Sequence, residues 1–293
     1  MEKNKMQDYI KAVLENMPAG WLNLTTHRLD IYDEKLAKTQ FLNQFENLFN
    51  TNNSDLSALS ELPTAYDYIR LGHPLSSILE WAIGGINKVN PESVISFSSS
   101  TIPILAILRK NLLDNKNTQL IYTGKLPAFF DADVVRSIYG YKFELQQVDK
   151  GAAISEFNGS TIFISQQDEI CDFDLTSALD FYINVHSQLG SILIINGQQN
   201  ESYISDIQHV RRRETIAMTP ANSLVALKNL INQPSFDNKD SNVEANKTAV
   251  INSIKTITGS NTKALVASSG LSIQYAILMG LIHDAKEKHN GKA

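Results

Sequence analysis

Short β-branched strands alternating with helices predict an α/β fold: a three-layer α/β/α arrangement around a mainly parallel sheet, preceded by a helical N-terminal segment. Three observations carry this expectation. Apolar runs of strand length recur as ESVISF, TQLIYT, KFELQQV, STIFIS and SILIIN. Helical patterns lie between several of them, with serine, proline or glycine at their ends. The chain of 293 residues is 43% hydrophobic and 19% charged, enough to bury one large core or two smaller ones.

In order along the chain, residues 5–17 place Met6, Tyr9, Ile10, Val13, Leu14 and Met17 on one helical face, stopped by Pro18 and Gly20. Residues 34–49 repeat the pattern through Leu36, Phe41, Phe45 and Leu48. TNNSDLSALSELP reads as loop, because its Asn, Ser and Asp side chains compete for the backbone. SSILEWAIGGINKV is helical, with Ser76 as the expected N-cap and Glu80 in the first turn. ESVISFSSS is a strand ending in serines, and IPILAILRKNLL is a helix opened by Pro103. TQLIYTG is a strand and DADVVRSIYG a helix closed by Gly140. KFELQQV, STIFIS and SILIIN are strands, and LTSALDFYINVHSQLG is expected as a helix ending at Gly190. Strict alternation implies right-handed crossovers and ligand sites at the carboxyl ends of strands, at SFSSST, IYTG, FISQQ and IINGQ.

Charge and composition exclude several classes of function. A net charge of −5 and a pI near 5.7 give no general pull toward nucleic acid or an anionic membrane. The single Cys171 excludes an internal disulfide and fits a reducing compartment, so the expectation is a cytoplasmic protein. Asp168, Glu169 and Asp172 around it would raise rather than lower its pKa. The six histidines show no metal-ligand spacing. Arg211-Arg212-Arg213 is followed by Glu214 and reads as a solvated helix face.

Residues 233–246, QPSFDNKDSNVEAN, are the most linker-like stretch. Beyond it, TAVINSIKTITGSNTKALVASSGLSIQYAILMGLIHDA repeats an order met earlier: helix, turn, apolar strand, serine-rich bend, apolar helix. Three units are therefore expected: an N-terminal helical segment at 1–60, a first α/β module at 61–235, and the start of a second at 243–293.

YIRLGHPL, residues 68–75, resembles the Y-x-R-x-x-N-P-T signature of the Cys/Met-metabolism family of pyridoxal-phosphate enzymes, which includes the transsulfuration enzymes and methionine γ-lyases. The resemblance implies that Tyr68 and Arg70 grip the phosphate of a cofactor in a neighbouring subunit, a task that suits a phenol and a guanidinium fork. The family's order continues through residue 224. Ser99, Ser100 and Thr101 fall on its phosphate bend and Tyr122 on the tyrosine that stacks on the pyridine ring. TIFISQQDEI resembles v-y-f-E-s-P-x-N-P, and SILIINGQ resembles v-v-V-D-N-T. MTPANSL falls on H-S-A-T-K-Y-L, the segment bearing the Schiff-base lysine. From the residues alone, Arg70 could equally pair with a carboxylate, the serines could cap a helix, and Tyr122 could be a core-edge aromatic.

The chemistry departs from that pattern. The lysine position reads Asn222, which cannot form an aldimine, and the aspartate that tunes the pyridine nitrogen reads Asn196. In the second copy, ASSGLSIQYAI resembles the A-S-G-M-A-A-I bend, so Ser269, Gly270 and Leu271 would present backbone to phosphate. Two functions follow from the resemblance. The chain is part of a pyridoxal 5'-phosphate-dependent enzyme of sulfur amino-acid metabolism, a C–S lyase or transsulfuration type, whose first module is non-catalytic. Alternatively, it is a cofactor-free pseudoenzyme serving dimerisation or regulation. Either implies a homodimer or homotetramer, with a small amino acid as the possible substrate and no nucleic-acid or membrane partner.

Overall fold

The computed structural model describes residues 2–23, 34–63, 68–233 and 243–291. The expected 233–246 linker lies mostly outside them. Helices α1 (Glu2–Asn16) and α2 (Glu34–Asn50) match the two amphipathic patterns, and the following loop contains a short helix, α3 (Leu56–Ser60). Then come α4 (Pro74–Asn87), β1 (Val94–Phe97), α5 (Ile102–Leu113), β2 (Thr118–Thr123), α6 (Ala132–Ser137) and β3 (Glu144–Val148). Strands β4 (Ser160–Gln166), β5 (Phe181–His186) and β6 (Gly190–Ile195) lead to α7 (Ser202–Glu214) and α8 (Pro220–Leu230), with α9 (Val243–Thr258) and α10 (Gly270–Lys288) last.

The six strands form one sheet in the order β1-β6-β5-β4-β2-β3. Pairings β2–β3, β2–β4 and β4–β5 are parallel, whereas β6 is antiparallel to both neighbours. The α/β class and the mainly parallel sheet match expectation; the strict alternation does not. LTSALDFYINVHSQLG is not a helix: it contains β5, which turns through Ser187–Leu189 directly into β6. Phe181-Tyr182-Ile183-Asn184-Val185 is aromatic and β-branched, and all five residues are buried, so the sheet centre outweighs the weak helical spacing. The reversal of β6 also moves IINGQ to the end of the sheet opposite to SFSSST, IYTG and FISQQ.

Two apolar clusters sandwich the sheet. On one face α1, α2, α4 and α8 contribute Tyr9, Phe45, Ile78 and Leu227, among others. Trp81 of α4 meets Phe45 and Phe49 edge-on at 5.1 and 5.2 Å, which ties the N-terminal helices to the module. On the other face α5, α6 and α7 cover Ile95, Phe97, Leu120 and Ile183 with Ile104, Val135 and Ile207. Helix α4 is buried from Leu75 through Gly84, and the polar Ser76 and Glu80 within it are hydrogen-bonded inside the fold. Its N-cap is His73 rather than Ser76: His73 Nδ1 accepts from Ser76 N at 3.2 Å, and Ser76 Oγ accepts in return from His73 N at 3.0 Å.

The outer edge of β1 is closed by charge. Glu80 Oε1 accepts from Ser96 N, Ser96 Oγ and Arg211 NH1, while Arg211 donates to Ser96 O and Leu71 O. Lys38 Nζ completes the cluster, 2.6 Å from Glu80 Oε2. Glu80 therefore sits in the core, and Arg211 is buried against the expectation of a solvated face, because it reaches around the strand edge. Burial pushes the Glu80 carboxyl up, but Lys38 and Arg211 outweigh it and hold its pKa near 2. Glu214, on the next turn, is a bidentate partner of Arg109 at 2.5 and 2.8 Å.

The apolar strand expected after 243 is absent among the described residues. ALVASS forms no strand: no described strand pairs with residues 264–267, and Leu265 lies exposed. No helix among the described residues is long and apolar enough to cross a membrane.

Candidate functional site

A cleft of about 650 Å³ opens at the carboxyl ends of the parallel strands. Its lining comes from four places: Ser100 after β1, Pro127–Phe129 after β2, Lys150 after β3, and Gln166–Glu169 with Val185–Ser187 at the ends of β4 and β5. This is where a parallel sheet offers its loops to a ligand. Asp168 Oδ1 accepts from Ser187 N and Oγ at 3.1 and 2.8 Å and lies 3.5 Å from His186 Nδ1. Desolvation raises the Asp168 pKa, but these hydrogen bonds and His186 bring it below the usual carboxylate range. Burial lowers the pKa of His186, opposed by Asp168.

Of the expected cofactor-binding residues, the structure brings only Ser100 to this cleft. Ser99 Oγ accepts from Thr101 N and Ile102 N at the start of α5, and Ser99 O accepts from Ser191 Oγ. Thr101 is the N-cap of α5, without a side-chain cap bond. Tyr122 is half-buried and packs into the cluster beneath α5 and α7. Tyr68 pairs with Gly72 in a one-residue bridge and packs against Leu71. Arg70 NH1 reaches Arg212 O and Arg213 O, at 3.4 and 3.3 Å, where α7 ends. The same helix end also receives the residues before α10: Ser269 Oγ donates to Arg213 O, and Ser268 Oγ donates to Glu214 O. Ser269 also caps α10 by accepting from Ser272 N, so its side chain is engaged by backbone, whereas Gly270 and Leu271 are exposed. In YIRLGHPL the most constrained residue is His73, whose Nε2 lies 2.7 Å from Met218 O; burial lowers its pKa to about 4.

The positions compared with the family's lysine and aspartate are also placed. Asn196 lies at the amino end of the parallel strands, with its Nδ2 on Thr176 O and Leu179 O, so it is remote from the cleft. Asn222 is in α8 and donates to Leu189 O at 3.2 Å, outside the cleft lining. The H-S of H-S-A-T-K-Y-L occurs again at His186-Ser187, on the cleft itself, and counting from there puts the lysine position on Gly190. Gly190 has φ +114°, and a Cβ there would collide with Phe97 O, so the position admits no side chain. Reading β5 as a helix hid this register; the signal was the HS pair directly after the strand-like run FYINV. The residues present do not fit covalently held pyridoxal phosphate, because the hairpin has no room for a side chain at the lysine position. Lys150 is the one lysine in the lining, and it is exposed, without the apolar pocket or adjacent base that activates a Schiff-base lysine. Cys171 is half-buried, and burial raises its pKa against the opposing influence of Lys3.

No family model and no curated protein sequence matches this chain. Solved structures similar to it include the metB protein of Corynebacterium glutamicum, with 12% identity over 76% of this chain and 63% of that one and a TM-score of 0.38. Cystathionine gamma synthase from Xanthomonas oryzae pv. oryzae in complex with cystathionine gives 10% identity, the same coverages and a TM-score of 0.40. A putative O-acetylhomoserine (thiol)-lyase from Campylobacter jejuni, with N'-pyridoxyl-lysine-5'-monophosphate, gives 14% identity, 76% and 70% coverage and a TM-score of 0.38. The chain spans 63% of the length of the first two.

Proposed function

We propose that residues 61–235 form a cofactor-free, non-catalytic relative of the pyridoxal-phosphate enzymes of Cys/Met metabolism, serving assembly or regulation. Gly190 carries the reading: on the register set by His186-Ser187 it stands at the Schiff-base position, with no space for a side chain. The contacts of Arg70 NH1 with the α7 carbonyls support it, because they give an internal use to a guanidinium that the resemblance assigns to a phosphate. The alternative, a working lyase or transsulfuration site in the second unit, loses support because the Ser269 side chain is already bonded to Arg213 O and Ser272 N. Self-association as a homodimer or homotetramer belongs to the same proposal, and sedimentation velocity reads it directly.

The test is incubation of the purified chain with excess pyridoxal phosphate, followed by borohydride and intact-mass measurement. No aldimine absorbance band and no pyridoxyl mass increment on a specific lysine are expected. A stoichiometric adduct on one lysine overturns the proposal.

A further inference from the structure

Helix α10 carries an apolar stripe that the described fold leaves open. On a helical wheel Leu271, Ile277, Leu278, Leu281 and Ile282 fall within one arc of about 140°. Within that arc only Gln274 and the terminal Lys288 are polar. A stripe this wide is what a helix normally turns toward a core. Here the docked side is the neighbouring one, led by Tyr275, which meets Arg109, Tyr139 and Tyr141. The five stripe residues stay 45, 47, 53, 60 and 37% exposed, in that order.

Area and charge select what can cover it. A specific self-contact needs about 1,000 Å² in total, or about 500 Å² from each copy. Five Leu and Ile residues left about half exposed supply about that much. From Gly270 to His283 the helix has no Asp, Glu, Lys or Arg, so a charged partner would gain no ion pair there. A membrane surface is disfavoured too, because interfacial helices flank their apolar face with Lys and Arg, and this chain has a net charge of −5. The surface that matches the stripe in length, width and neutrality is its own.

We propose that α10 is a self-association surface, on which the exposed stripe of one copy packs against the same stripe of a second. Leu278 and Leu281 lie near the middle of this 19-residue helix. A two-fold axis there lays two α10 helices antiparallel along their full length, with their macrodipoles opposed. The proposal rests on the self-association put forward above and is independent of the cofactor-free state.

Sedimentation velocity of the full chain from about 1 to 100 µM tests it, with Leu278→Glu/Leu281→Glu as the disrupting variant and Ile257→Glu, on exposed α9, as the control. Native chain and control are expected to dimerise with a Kd between about 1 and 100 µM, as suits a contact at the lower limit of area. The double variant should raise that Kd at least about ten-fold and leave the thermal midpoint in place, since both residues are exposed. Amide exchange of residues 277–282 in the native chain should slow as concentration rises, which reads the same contact without any substitution. A dimer equally stable in the double variant, or one lost in Ile257→Glu instead, overturns the α10 surface while self-association survives. A monomer throughout overturns both. Protection of 277–282 that does not change with concentration means that another part of the same chain covers the stripe, and it overturns the proposal as well.

Discussion

Glu80 is the side chain on which the closure of the sheet edge depends. It satisfies Ser96 N and Oγ and neutralises two buried cations, so its loss strands Lys38 and Arg211 without water. Glu80→Ala is expected to lower unfolding free energy by about 3–5 kcal/mol, measured by chemical denaturation. Replacing Lys38, Glu80 and Arg211 together with Met, Leu and Met should cost less, because no charge is left unpaired. The sequence did carry a sign of this cluster: one acid inside the otherwise apolar ILEWAIG. Its partners were not legible, since Arg211 stands in a basic run and Lys38 lies 42 positions from Glu80. His73 adds a pH term of its own. Its folded pKa near 4 lies below the ordinary imidazole value of about 6.5, so the unfolded chain binds more protons between the two. That stability is present above pH 6.5 and lost as pH falls toward 4. Glu80, also depressed, loses its share lower, as pH falls from the ordinary carboxylate range toward 2. Denaturation midpoints measured from pH 7 to 4 should fall in the native chain and fall less in His73→Asn, which keeps a cap acceptor.

The hairpin β5–β6 is the element that decides where the site lies. Its turn is held by His186 Nδ1 and its return begins at Gly190, whose positive φ and contact with Phe97 O both exclude a Cβ. Gly190→Ala is therefore expected to destabilise the fold by more than about 2 kcal/mol, read as a lowered thermal midpoint, whereas Gly140→Ala, with nothing within 4 Å, should cost less. Most elements were legible, because α1, α2, α4 and α5 have clear one-faced or continuous apolar patterns and β1, β2 and β4 are β-branched. The hairpin was not, because the leucines at 175 and 179 prolong a helix-like spacing into FYINV. That misreading made β6 parallel, put Asn196 at the ligand end, and left His186 out of the expected site, although SFSSST and FISQQ did fall on the cleft. Only Ser100 of the expected binding residues reached the cleft.

At the scale of the whole molecule, the last two helices are held differently from the rest. Helix α10 leaves Ile277, Leu278 and Leu281 exposed and among its residues buries Ala285, so little apolar area fixes it. Its attachment to α5 and to the segment after α6 is polar and aromatic. Tyr275 lies 3.1 Å from Tyr141 through their hydroxyls, stacks under the Arg109 guanidinium at 4.5 Å, and meets the ring of Tyr139 at 5.7 Å. Arg109 is itself fixed by Glu214, so the anchor extends into the buried end of α7. Such contacts contribute about 0.5–2 kcal/mol each, far less than the core beneath the sheet, and local opening of α10 should precede global unfolding. Tyr275→Ala removes all three while leaving the sheet untouched. Amide exchange in residues 270–288 is then expected to quicken about ten-fold or more, with β4, β5 and β6 unchanged, when followed by mass spectrometry. Uniform acceleration through the sheet would instead mean that α10 belongs to the same cooperative unit as the core, and the hierarchy argued from its exposed face would fail.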